Sequence, residues 1–167
     1  MATRLSEYGI GAIKDPSTFA INISGGSAIV KPMTPNQLVG WLHFAIPNLP
    51  VDYPDLASLS IKFSSHSATA ASVLVFLANH KVFDESNLQQ TASFNLEIAS
   101  TKATYKGDGI AVSIKLVFTS VAGTLKLQSV GVEVQASHDR KTRCLDVNED
   151  SCTRTCKVSR GGSVTSR

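Results

Sequence analysis

The sequence predicts an all-β fold, a single antiparallel β-sandwich of jelly-roll-like type over residues 15–136, with a short arm (1–14) before it and a flexible basic tail (137–167) after it. Three observations carry this. Apolar residues recur at every second position in several stretches, the period of a strand with one buried face. Clusters of Gly, Pro and Asn separate those stretches at short intervals. The composition, 43% hydrophobic and 17% charged, is that of a globular β-rich chain rather than a disordered one or a coiled coil.

The elements follow in order. Residues 19–24 alternate, with Phe19, Ile21 and Ile23 on one side, and Gly25-Gly26 supplies a turn. A Pro-bounded stretch at 32–35 is a second turn. Residues 41–46 place Trp41, His43 and Ala45 on one face and Leu42, Phe44 and Ile46 on the other. A loop at 47–54 follows, bounded by Pro47 and Pro54. In 58–64, Leu59, Ile61 and Phe63 alternate with serines and Lys62. Residues 72–78 are apolar on both sides, as expected of a central strand covered on both faces. Asn79-His80 is a turn, and helix is expected only as a single turn over 84–90. Strands are expected again at 94–98, 110–118 and 130–135, with turns at 106–109 and 122–123. No stretch shows the three-and-four spacing of an amphipathic helix.

After residue 137 the pattern stops. Large apolar residues almost vanish, so the segment cannot bury enough surface to offset its ordering entropy. It holds all three cysteines, Cys144, Cys152 and Cys156. No histidine is spaced to join them in a zinc site, and an odd number leaves at least one thiol without an internal partner. The body has no cysteine, so no disulfide supports its core.

Charge narrows the partners. Residues 1–137 hold nine Lys/Arg and nine Asp/Glu, while residues 138–167 hold seven and four, so the net charge of +3 belongs entirely to the tail. A neutral body argues against nucleic acid, which needs clustered positive charge to neutralise phosphates. The longest nearly apolar run, 68–78, is about half of what a bilayer-spanning helix requires. Residues 1–15 lack the apolar core of a signal peptide. The expectation is a cytoplasmic start, with unconventional export as the alternative.

The stretch Trp41-Leu42-His43-Phe44-Ala45-Ile46-Pro47 resembles a Trp-Phe-His-Phe-(Ala or Ser)-(Ile or Leu)-Pro motif in a family of mostly bacterial, uncharacterised small β-sandwich proteins. Residues 58–65, 73–80 and 109–118 resemble that family's later strands. The resemblance spans 35–135 and implies a fold; it brings no activity. The loop with Asp52, Tyr53 and Asp55 and the cysteine-bearing tail depart from it.

Function is read from single residues, because no motif carries a reaction. There is no Gly-x-Ser-x-Gly elbow, P-loop or dinucleotide fingerprint, so a hydrolase ranks below a binding role and no enzyme is expected. Trp41, the only tryptophan, offers a flat apolar face on which a sugar ring could stack; the alternative is an aromatic that merely fills space. Asp52, Tyr53 and Asp55 in the following loop complete the expected ligand-binding set. His43 is read as a sandwich histidine with a backbone partner. No cofactor is expected; the alternative is calcium held by the turn acids Asp52, Asp55, Asp84, Glu85 and Asp108. The expected function is a non-catalytic binding or interaction module, with a glycan or a protein as partner. A structural or self-assembling sandwich, hence a homo-oligomer, is the alternative.

Overall fold

The computed structural model describes residues 2–15, 19–47, 55–98 and 109–135, all within the unit Met1–Ala136. The expected tail at 137–167, with its cysteines, lies outside the described residues. So do Asp52, Tyr53 and Asp108.

Eleven strands occupy the described residues: β1 (Ala2–Tyr8), β2 (Ile13–Lys14), β3 (Phe19–Ser24), β4 (Ser27–Pro32), β5 (Val39–Ile46), β6 (Asp55–His66), β7 (Ala68–Leu77), β8 (His80–Gln90), β9 (Ala92–Glu97), β10 (Ile110–Phe118) and β11 (Thr124–Gln135). One 3-10 turn, Gly9–Gly11, links β1 and β2. Five strands form one sheet in the order β2-β5-β10-β7-β8. Six form the other in the order β3-β4-β11-β6-β9, with β1 also on β11. Every pairing is antiparallel. From β4 onward the chain changes sheet at each connection except the β7–β8 hairpin, the winding of a jelly roll. The expected β-sandwich is the fold observed.

The inner faces are the alternating residues of the sequence. Leu42, Phe44 and Ile46 of β5 and Ile110, Val112, Ile114, Leu116 and Phe118 of β10 meet Leu59, Ile61 and Phe63 of β6 and Leu125, Leu127, Val130, Val132 and Val134 of β11. All are buried. Phe19 and Phe118 join the two sheets edge to face, with ring centroids 5.3 Å apart. Fully burying one such side chain is worth about 1.5–3 kcal/mol, so the shared apolar layer accounts for the sandwich without any cross-link.

Three expectations need correction. The expected arm over 1–14 is not one: β1 pairs with β11 from Ala2–Gln135 to Tyr8–Ser129, and β2 pairs with β5 at His43 and Leu42. Among the apolar residues of β1 only Leu5 packs on the core, so alternation was too thin to reveal it. The stretch 27–32, for which the pattern predicts no element, is also a strand, paired with both β3 and β11. The stretch 84–90 is not helical but the outer part of β8, an edge strand held by β7. Its Lys81, Asp84 and Glu85 are exposed, as suits an edge that must not recruit another strand. Two register shifts and Asn87 at φ 62° break its alternation. Finally, β7 is central but not buried on both sides: Val73, Val75 and Leu77 point inward, while Leu74 and Phe76 are half-buried on the outer face.

Candidate functional site

The outer face of the five-stranded sheet gathers the residues with the most chemistry. Strand register sets them in rows. Trp41 lies beside Lys115, then Ser72 and Ser86. The next row is Ile13, His43, Ser113, Leu74 and Asp84. The third is Ala45, Ala111 and Phe76. Trp41 is neither in the core nor free in solvent; it is half-buried on this face. Its neighbours thus include aliphatic, cationic and hydroxyl side chains.

His43 is held on both sides. Its Nδ1 is 2.8 Å from Ser113 Oγ and its Nε2 is 3.2 Å from Asp15 Oδ1. The Asp15 backbone N–H donates to the Trp41 carbonyl at 3.4 Å, so the segment after β2 is fixed against β5. Ser113 is only 6% exposed, whereas the His43 and Asp15 side chains are 40% and 41% exposed. The expected backbone partner for His43 is therefore replaced by two side chains. No motif placed a serine, a histidine and an acid together in the sequence, yet the fold does.

That chain of three invites comparison with acyl-transfer enzymes. Such chemistry also needs donors aimed at a developing oxyanion. Ser113 sits in the middle of β10, an interior strand whose backbone bonds go to β5 and β7. Its N–H belongs to a flat ladder rather than a strained turn. The arrangement orients an imidazole on a sheet face; it does not assemble a nucleophile with an oxyanion hole.

The other expected site residues are spread. Asp55 opens β6 in the opposite sheet, paired with Gln135, and so stands apart from the Trp41 row. Asp84 and Glu85 lie on strand β8 instead of a turn, and Asp84 is ion-paired with Lys81. Among the described residues, no three side chains of metal-ligating type converge. None of the described helical residues forms a span long and apolar enough to cross a membrane.

No protein-family model matches the chain, and no curated protein is similar to it. Solved structures are. A family 86 carbohydrate-binding module from the xylanolytic gut symbiont Roseburia intestinalis, described as a low-affinity xylan binder, matches with a TM-score of 0.51 at 9% identity, over 80% of this chain and 96% of that one. A variant of a family 29 carbohydrate-binding module matches with a TM-score of 0.43 at 12% identity, over 80% and 86%. A family 36 module in complex with calcium and xylotriose matches with a TM-score of 0.42 at 12% identity, over 76% and 98%. At 9% identity the likeness to the family 86 module is one of fold.

Proposed function

We propose that the domain is a non-catalytic carbohydrate-binding module whose ligand lies on the outer face of the five-stranded sheet. One observation carries the reading: the single tryptophan lies on an outer sheet face, not in the core, among Lys115, Ser72, Ser86 and the tethered His43. A saccharide presents apolar C–H faces and hydroxyl edges together. An indole supplies the matching apolar surface, and surrounding donors and acceptors fix orientation. Holding His43 between Ser113 and Asp15 lowers the entropy lost on binding. The family 86 likeness supports the architecture and suggests xylan as the first ligand to try.

Thermal unfolding with soluble xylan, β-glucan and mannan tests this. A ligand that binds only the folded state adds about 2.7 kcal/mol at a hundredfold excess over Kd. The expected result is a ligand-induced rise in the midpoint that Trp41→Ala abolishes, the variant still unfolding cooperatively from a midpoint only a few degrees lower. A flat response to every polysaccharide would overturn it.

A second reading rests on Ala45, Ala111, Leu74 and Phe76, which form an apolar group on the same face. Such a group suits docking of a protein or a second copy. Concentration-dependent sedimentation, insensitive to sugars and reversed by Phe76→Ser, would favour it.

A further inference from the structure

The opposite face of the sandwich carries a groove of about 390 Å³ lined by Arg4, Ser58, Ser60, Asn95, Leu96, Glu97 and Glu133. Its layout follows from register. One row across four strands reads Arg4, Glu133, Ser58, Glu97. The adjacent row reads Ser6, Gly131, Ser60, Asn95. The floor is built of small residues. Gly131 is required there, because a Cβ at that position would lie 2.7 Å from the Leu5 carbonyl oxygen of β1. Arg4 on β1 stands at one margin, Asn95 and Glu97 on β9 at the other, and Glu133 of β11 rises between them beside Ser58. At a strand spacing of about 4.8 Å the rows extend roughly 14 Å, which suits a short oligosaccharide lying across the strands.

From this we infer that the six-stranded sheet bears a second site, for a neutral saccharide, so that the module grips two sugar chains at once. The inference rests on the saccharide reading above for its ligand class, and on the groove itself for its place. Ser58 Oγ donates to Glu133 Oε2 at 3.0 Å and fixes that carboxylate. Among the described residues, Arg4, Asn95 and Glu97 make no side-chain hydrogen bond or ion pair. Carboxylates accept from two adjacent hydroxyls, and a guanidinium donates through a planar fork. Two carboxylates against one guanidinium disfavour a phosphate or sulfate by like-charge repulsion, and Arg4 disfavours a bare cation. A neutral polyol satisfies both signs. Tyr8 shares the outward side of β1 with Arg4 and Ser6 and is 67% exposed, which adds a ring surface beyond the groove. The two faces point away from each other, so a single oligosaccharide cannot occupy both, and simultaneous occupancy bridges two chains.

The full chain is titrated with xylohexaose, cellohexaose and mannohexaose by calorimetry, with amide shifts assigned to each sheet. Roughly two ligands per chain are expected for the wild type and roughly one for Trp41→Ala. Glu97→Gln, an exposed and isosteric change, weakens the groove at least about tenfold, the loss expected for a charged hydrogen bond. Mixed with soluble polymer, the wild type cross-links it and raises viscosity; neither single variant does. Complete loss of binding in Trp41→Ala would overturn the second site and leave the first reading standing. One ligand, lost in Glu97→Gln and untouched by Trp41→Ala, would uphold the groove and sink the Trp41 site. No binding of any hexasaccharide overturns both.

Discussion

The two outer faces of the sandwich are made by the same alternation and differ in almost everything else. On the five-stranded sheet, Trp41, Leu74, Phe76, Ala45 and Ala111 crowd an apolar centre around one tethered imidazole. On the six-stranded sheet, Ser6, Ser58, Ser60 and Gly131 leave a low polar floor, with Arg4 and Glu97 at its rim and Glu133 between them. Their inner faces are both apolar, built of Val, Leu, Ile and Phe with a few alanines. The inner set determines that a sandwich forms. The outer set determines what it can hold.

The largest expected effect separates inner from outer on one strand. Phe44→Ala should cost about 3–5 kcal/mol, and its outer neighbour Trp41→Ala only about 1–2 kcal/mol, because a half-exposed ring already meets water. Urea unfolding of both variants checks this; equal losses would mean that Trp41 belongs to the core. Gly131→Val should come next, at about 1–3 kcal/mol from overpacking. It should also lift β1, read as lost hydrogen-exchange protection over Thr3–Tyr8 while β5 and β10 stay protected. Ser113→Ala should cost about 1 kcal/mol, the net worth of one hydrogen bond, with the His43 ring resonances broadened or shifted. The smallest effect lies at the hairpin tips. Gly25 and Gly26 take φ of 55° and 75° without a side chain to strain, whereas the β7–β8 hairpin puts Ala78 at φ 51°. Ala78→Gly should therefore raise stability by up to about 1 kcal/mol. A lower midpoint would show that the Ala78 methyl is doing more than its backbone loses.

Much of the fold was legible because half-buried strands write their burial in period two. The stretch around Trp41 is the clearest case: both of its faces follow from parity alone, and β6, β10 and β11 read the same way. Four strands did not. In β1 the only apolar residue packed on the core is Leu5, β2 is two residues long, β4 ends at a proline, and β8 is a bulged edge whose outward charges mimic a polar turn. These strands are held by backbone bonds to a neighbour, which leave little trace in side-chain order. The candidate sites were less legible still. Asp15, His43 and Ser113 are 28 and 70 positions apart, and the groove row runs from residue 4 to residue 133. Such sets appear only when register is known. The set read from the loop, with Asp52, Tyr53 and Asp55, assumed that nearness in sequence meant nearness to Trp41, and Asp55 belongs to the other sheet.

The pairing of Ala2 with Gln135 has a mechanical meaning. The first and last described strands leave the body side by side, at the same end of one antiparallel ladder. A domain tethered through both ends would feel a pull that opens this ladder one bond after another, like a zip, instead of shearing all its bonds together. Under load, the strand that carries Arg4 at the groove's edge would be the first to peel. Optical-tweezers traces pulled through residues 2 and 135 should show yielding at low force, and traces pulled through the Gly25 and Gln135 positions should show a stiffer response.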